Sequence, residues 1–294
     1  MATPTYITAA DLFGTWLDEL ERGEPPIRYR LIEPFDALDL RPARLVLFGG
    51  QPGSGKTAAL LQIGIDLLRT NDTARLIIAN AEMAPLVLLE RIAARLAQVP
   101  LSAIADRTVT NEEAIRVRGA LTLLGTVLDR LAFLGAPYTL EHLAAAATAF
   151  EANAMIVDYI QRFAVGDSQR EKREQLESAA AVLRRFCDQG ACVLVASAVA
   201  RQRSKNGATY RGLGLASFRG SSELEYGADA CYLLAPERGN VTFRCEKNRF
   251  GPCADIVTHF DATIQEFTAA PAGLDAFDAA EPADDSTPRR RRGA

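Results

Sequence analysis

The run Gly50-Gln-Pro-Gly-Ser-Gly-Lys56-Thr57 constrains this chain more than any other feature. It satisfies G-x-x-x-x-G-K-[ST], and it follows an apolar stretch at 44–48 and precedes a helical pattern at 58–68. That context is a strand, a tight loop and a helix, the one arrangement in which such a loop can cradle phosphate. Gly50, Gly53 and Gly55 let the backbone wrap an anion with its amides turned inward and a helix N-terminus behind them. Lys56 then reaches the β- and γ-phosphates, and the Thr57 hydroxyl binds Mg²⁺. Gly50, Gln51, Pro52, Gly53, Ser54, Gly55, Lys56, Thr57 and Ala58 are therefore expected to hold ATP, with Mg²⁺ as its partner ion.

Around this loop, strands and helices alternate. Apolar runs at 76–79, 155–157 and 193–196 are short and nearly continuous, as in parallel strands buried on both faces. Helical stretches are expected at 85–96, 111–131 and 173–186. Pro85 suits a first helical turn, and Thr110 with Glu113 has capping-box spacing. Segments at 229–234, 241–246 and 255–260 have strand composition without intervening helices, so the sheet should finish with antiparallel strands. The pattern predicts an α/β fold with a central, mostly parallel twisted sheet flanked by helices.

Outside this core, residues 8–22 read as a short amphipathic helix, with Leu12, Phe13, Trp16, Leu17 and Leu20 on one stripe. It could dock on its own domain or on a neighbouring subunit. Beyond 269 the chain turns to Ala, Pro and Asp with an Arg289–Arg292 run, a composition expected to be disordered. The division is thus 1–34 as linker helix and connector, 35–268 as ATPase domain, and 269–294 as tail.

A net charge of −4 argues against a protein that coats nucleic acid with its whole surface, while leaving room for a local basic groove. Five cysteines lack zinc-site spacing, and Cys192, Cys231 and Cys245 lie in apolar runs and read as reduced core residues. No segment is long and apolar enough to span a bilayer, so a cytoplasmic protein without membrane association is expected. His142 and His259 are isolated and read as structural.

Two acidic residues could complete the site. Asp158, ending the strand in Met155-Ile-Val-Asp158-Tyr-Ile-Gln161, can hold the Mg²⁺ water shell beside the phosphate loop. Glu82, just past the strand at 76–79, could align an attacking water and take its proton, or could be a solvated or helix-capping residue before Pro85.

The order of motifs resembles the C-terminal, RecA-like P-loop ATPase domain of DnaB-type replicative helicases over roughly 35–267. The resemblance lies in 49–57, Ala81-Glu82-Met83, 156–161, Phe218-Arg219-Gly220-Ser221, Ala228-Asp229 and Glu246-Lys247-Asn248-Arg249-Phe250-Gly251-Pro252. It implies that Glu82 is the hydrolytic glutamate and that Asp158 and Gln161 belong to the nucleotide site. It also implies that Lys247 and Arg249 reach a neighbour's nucleotide as a finger pair. Loops carrying Arg170 and Lys172, and Arg201, Arg203, Lys205 and Arg211, would line a channel for single-stranded DNA; basic, glycine-rich loops suit phosphate contacts without base readout. Two departures stand out. The family's Ser-Gln-Leu-Asn-Arg strand end reads Ser197-Ala198-Val199-Ala200-Arg201 here, so the phosphate-sensing Gln is Ala198. The stretch before residue 35 suits a linker helix and not the family's N-terminal collar.

The expected protein is an ATP-hydrolysing DNA helicase or translocase, a homo-oligomer, most simply a hexamer, with loader or replication proteins as further partners. The rival is a non-translocating RecA-like ATPase whose ring or filament recruits other proteins.

Overall fold

The computed structural model describes residues 6–23, 25–163, 169–199, 202–204, 207–209, 214, 222–237 and 239–270. Of 169–173, 202–204, 207–209 and 222–223 it describes the backbone.

A nine-stranded sheet runs through the molecule. Its parallel part is built from β1 (Leu45–Gly50), β2 (Leu76–Asn80), β3 (Leu131–Phe133), β4 (Ala154–Asp158), β5 (Cys192–Ala198) and β8 (Ala230–Glu237). Then β9 (Asn240–Asn248), β10 (Ile256–Asp261) and β11 (Glu266–Ala269) continue it antiparallel. The order across the sheet is β11-β10-β9-β8-β1-β5-β4-β2-β3. Every residue of β1, β2 and β4 is buried, which is why these strands are apolar throughout. The predicted antiparallel finish is present, with β11 as an added strand.

Helix α2 (Lys56–Thr70) follows β1 and is buried from Ala58 to Leu68, because it is covered on two sides. One side meets the sheet so closely that a Cβ on Gly64 would lie 2.7 Å from Ile156 and 2.8 Å from Leu76. The other meets the β10–β11 hairpin, where the Gln62 amide exchanges two hydrogen bonds with the Phe267 backbone, both 2.8 Å. Helix α3 (Pro85–Ala97) begins with its proline in the first turn and ties to α2 through a buried Arg95–Asp66 pair at 2.6 Å.

The expected helix at 111–131 is shorter. Helix α5 (Asn111–Gly125) keeps its Thr110–Glu113 capping box, then yields to a 3₁₀ turn and β3, whose Leu131 is buried beside Leu76. Among the described residues three helices went unread, α4 (Leu101–Ala105), the alanine-rich α6 (Leu140–Ala149) and α8 (Ser222–Gly227). Residues 169–173 form the start of helix α7 (Gln169–Asp188) and not a loop. The glycine-rich segment after β5 contains a small antiparallel hairpin of β6 (Gln202–Ser204) and β7 (Gly207–Thr209). Cys187, Cys192 and Cys231 are buried, but Cys245 is only partly so, since β9 has one face near solvent. The 271–294 tail lies outside the described residues.

Helix α1 (Ala9–Arg22) opens with a Thr8–Asp11 capping box and closes at left-handed Gly23. None of its residues is buried, and Leu12, Phe13, Trp16 and Leu20 are each more than half exposed. Among the described residues the stripe is not packed on its own domain. An apolar groove of about 540 Å³ lies elsewhere on the molecule, between α3, α4 and α5, lined by Leu86, Leu89, Ala93, Val117 and Leu121 among others.

Candidate functional site

The carboxyl ends of β1, β2, β4 and β5 meet at one edge of the sheet, where open α/β sheets bind ligands. A cavity of about 470 Å³ lies there, bordered by Gly50, Pro52, Gly53, Gly55, Lys56, Thr57, Ala58, Glu82 and Asp158. The loop is glycine-rich for a structural reason visible at Gly55. Its φ is +87°, and a Cβ there would come within 2.7 Å of the Phe267 ring. Ser54 Oγ is buried without a hydrogen-bond partner, and Gln51 contributes its backbone carbonyl.

Lys56 donates to the Gly50 and Gln51 carbonyls at 2.8 and 2.9 Å. Burial holds its ammonium below the usual lysine range, opposed by the charges of Asp158 and Glu82. Thr57 Oγ1 donates to Asp158 Oδ2 at 2.6 Å. Burial pushes the Asp158 carboxyl above the usual carboxylate range, against that hydrogen bond and the charge of Lys56. Glu82 lies 42% exposed at the cavity mouth, 3.7 Å from Arg162. Such a set presents hydroxyl and carboxylate oxygens and an ammonium at one place. It is suited to a phosphate chain carrying a hard, oxygen-seeking cation.

Asn80, at the end of β2, was missed in the sequence. Its Nδ2 donates to Asp158 Oδ2 at 2.8 Å, while its Oδ1 accepts from the Glu82 and Met83 amides at 2.9 and 2.8 Å. A polar residue closing the apolar run Leu-Ile-Ile-Ala was the available signal. Arg91 of α3 and Phe260, Ala262 and Gln265 of the β10–β11 hairpin also border the cavity and were missed, since they lie far from the loop in sequence.

The Gln161 side chain meets the end of β5. Its amide donates to Ser197 Oγ at 2.8 Å and accepts from the Ala198 N–H at 3.2 Å, so it braces the end of β5. Ala198 itself borders the cavity.

Lys247 and Arg249 lie at the opposite, amino edge of the parallel strands, because β9 runs antiparallel to β8 and Asn248 pairs with Ala230 at the start of β8. Leu45 to Gly50 sets the separation of the two edges along β1, about 17 Å at ~3.3 Å per residue. Arg249 sits just past the strand, yet both cations converge on the Tyr226 carbonyl, at 3.0 Å from Lys247 Nζ and 2.8 Å from Arg249 Nη2. Arg249 also pairs with Asp229 at 3.1 Å. Arg201, Lys205 and Arg211 lie outside the described residues, as do the side chains of Arg170, Lys172 and Arg203.

This sheet order, with a glycine loop leading from the central strand into a buried helix, defines the RecA-like class of α/β folds. The sequence profile of the DnaB-like helicase C terminal domain matches residues 35–269, and the chain belongs to that family. Two solved structures share its fold. One, an ATPase domain, superposes with a TM-score of 0.76 at 17% identity, over 91% of this chain and 100% of that one. A DnaB-like replicative helicase, described with its interactions with primase, gives 0.74 at 15% identity, over 91% of this chain and 68% of that one. A comparison with curated proteins gives no match. Among the described residues, no helix is long and apolar enough to cross a membrane.

Proposed function

We propose that the chain hydrolyses ATP with Mg²⁺ in a ring of identical subunits, most simply a hexamer, and translocates on single-stranded DNA. The observation that carries this reading is the division of the chemistry between two edges of one sheet. The cavity has its own cation, oxygen ligands and Glu82, whereas Lys247 and Arg249 lie about 17 Å away along β1. A side chain cannot cover that distance, so the pair can serve a phosphate chain only on another copy.

In this reading the loop amides and Lys56 hold the phosphates, and Thr57 and Asp158 hold Mg²⁺, with Asn80 fixing the carboxylate. The oxygen set fits such an ion, which when bound neutralises phosphate charge. Glu82 orients a water and accepts its proton as the water oxygen attacks the terminal phosphorus, whose bond to the bridging oxygen breaks to leave ADP and phosphate. A finger from the neighbour stabilises charge on the transferred group. The α1 stripe of Leu12, Phe13, Trp16 and Leu20 docks in the groove between α3, α4 and α5 of an adjacent copy, covering two apolar surfaces at once. Residues 1–34 then act as linker, 35–268 as motor and 269–294 as a tail, with replication proteins as further partners.

Ala198 favours a second reading, a nucleotide-switched ring that recruits proteins without moving on DNA, because no side-chain amide is available there to couple phosphate loss to the strands above. The two differ in one measurement. Steady-state phosphate release is followed with and without a single-stranded oligonucleotide, alongside unwinding of a forked duplex with 5′-to-3′ polarity. Stimulation with unwinding is the expected result. Hydrolysis indifferent to DNA, with no unwinding, would leave the recruiting switch.

A further inference from the structure

Arg91 has no part in the reading so far, yet its surroundings are unusual for a solvated helix arginine. It projects from α3 into the cavity that Lys56, Glu82 and Asp158 border. Its Nη1 donates to Gln265 Oε1 in a close contact, and Gln265 is itself held by donating to the Ala262 carbonyl at 2.5 Å. Its Nε is buried and has no hydrogen-bond partner. Burial depresses its pKa, opposed by the Asp158 carboxylate, so the charge is desolvated and electrostatically coupled to the cavity's buried acid. A buried guanidinium donor without a partner costs free energy unless an acceptor comes to it. The cavity is where an acceptor can arrive.

Ala198, which also borders the cavity, offers no such donor. Its side chain is a methyl group, and the neighbouring Gln161 amide is committed to Ser197 and Ala198. Glu82 and Asp158, placed at the reacting end of the phosphate chain, border the same cavity as Arg91. An arginine fork binds phosphate oxygens in a plane with two donors, which one ammonium cannot do.

Resting on the nucleotide reading above, we propose that Arg91 contacts the terminal phosphate of the bound triphosphate from within its own subunit. Gln265 holds the fork ready, and Arg91 thereby discriminates triphosphate from diphosphate where Ala198 cannot. Arrival of the terminal phosphate gives the buried Nε an acceptor and draws Nη1 from Gln265.

The test is equilibrium binding of the full chain, with Mg²⁺, to a fluorescent ADP and to a fluorescent non-hydrolysable ATP analogue. Wild type, Arg91→Ala, Arg91→Gln and the double variant Arg91→Ala with Ala198→Gln are compared, each checked for folding by thermal unfolding. Loss of a charged hydrogen bond predicts that Arg91→Ala weakens analogue binding by about tenfold or more and ADP binding by less than about threefold. Arg91→Gln, a neutral side chain of similar length, should show the same selective loss and serves if the alanine variant does not fold. The double variant should recover part of the discrimination. An unchanged analogue-to-ADP ratio, or equal weakening of both ligands in either single variant, would overturn the proposal. If wild type and Lys56→Ala bind both nucleotides alike, the nucleotide reading itself is wrong and the role of Arg91 falls with it.

Discussion

Asn80→Ala is the sharpest test of how the site is assembled, because one buried side chain fixes both acids. Three hydrogen bonds are removed, one to Asp158 and two from the backbone amides of Glu82 and Met83. At a net ~0.5–1.5 kcal/mol each, and with water able to reach the Glu82 turn, the loss should be about 2–3 kcal/mol. For a domain of this size that corresponds to a fall of roughly 4–10 °C in Tm. The catalytic effect should be larger than the stability effect. A shift of about 1 Å in a positioned group costs on the order of 10²-fold in rate, and Asn80 sets where the Glu82 backbone turns. Nucleotide affinity should stay within about threefold, because Lys56 and the loop amides do not touch Asn80. The assay pairs thermal unfolding and nucleotide binding with steady-state phosphate release on the same preparation. A folded Asn80→Ala protein turning over within a factor of about two of wild type would refute the idea that Asn80 positions Glu82.

Glu82→Gln should bind nucleotide while phosphate release falls steeply, because an amide cannot accept the water's proton, whereas Lys56→Ala should lose triphosphate binding; a wild-type rate for Glu82→Gln would remove it from the chemistry. Deleting residues 1–23 should weaken the oligomer seen by sedimentation, since each large apolar side chain buried is worth about 1.5–3 kcal/mol; an unchanged oligomer would exclude α1 as the joint. Replacing Arg201, Arg203, Lys205 and Arg211 together with Ala should weaken single-stranded DNA binding alike on different sequences and flatten its salt dependence by about 0.7 logarithmic units per lost contact. An identical slope would take that segment out of the interface. Arg249→Ala and Lys56→Ala subunits should each be inactive alone and regain turnover when mixed, because mixed rings contain interfaces with both an intact loop and an intact finger. Full activity of Arg249→Ala alone would end the finger assignment.

Local chemistry made much of this legible in sequence. The phosphate loop, the buried strands and the Thr110 and Pro85 helix starts all depend on neighbours within four residues. Spacing along the chain reveals those directly. The pattern at 111–131 overextends its helix because the apolar residues continue past Gly125 into β3, and only the pairing of Leu131 with Leu76 shows which state wins. The site was half readable. Lys56, Thr57 and Asp158 come together as their motifs imply, but Asn80, Arg91 and Gln265 reach the cavity through strand order and the β10–β11 hairpin, which no local pattern encodes. Gln161 shows the converse. Its motif position is that of a nucleotide-site residue, whereas its amide is used to brace β5 beside Ser197.

The far edge of the sheet is held by a different acid, and this decides how cleanly the finger can be tested. Asp229 is buried, accepts from the Leu45 amide at 2.9 Å, and pairs with both Arg184 at 2.8 Å and Arg249 at 3.1 Å. Its carboxylate therefore ties Arg249 to the first residue of the strand whose other end carries the phosphate loop. Breaking a buried ion pair is costly mainly when a charge is left uncompensated. Arg249→Ala leaves Asp229 with Arg184 and the Leu45 amide, so folding should survive and any loss of turnover can be assigned to the missing guanidinium. Asp229→Ala would instead take the acceptor from the Leu45 amide and the shared partner from Arg249 and Arg184, which among the described residues keeps only Asp188, lowering stability and activity at once. That contrast fits a cation whose structural partner is shared and whose side chain stays 46% exposed, the condition for service on another copy's phosphates.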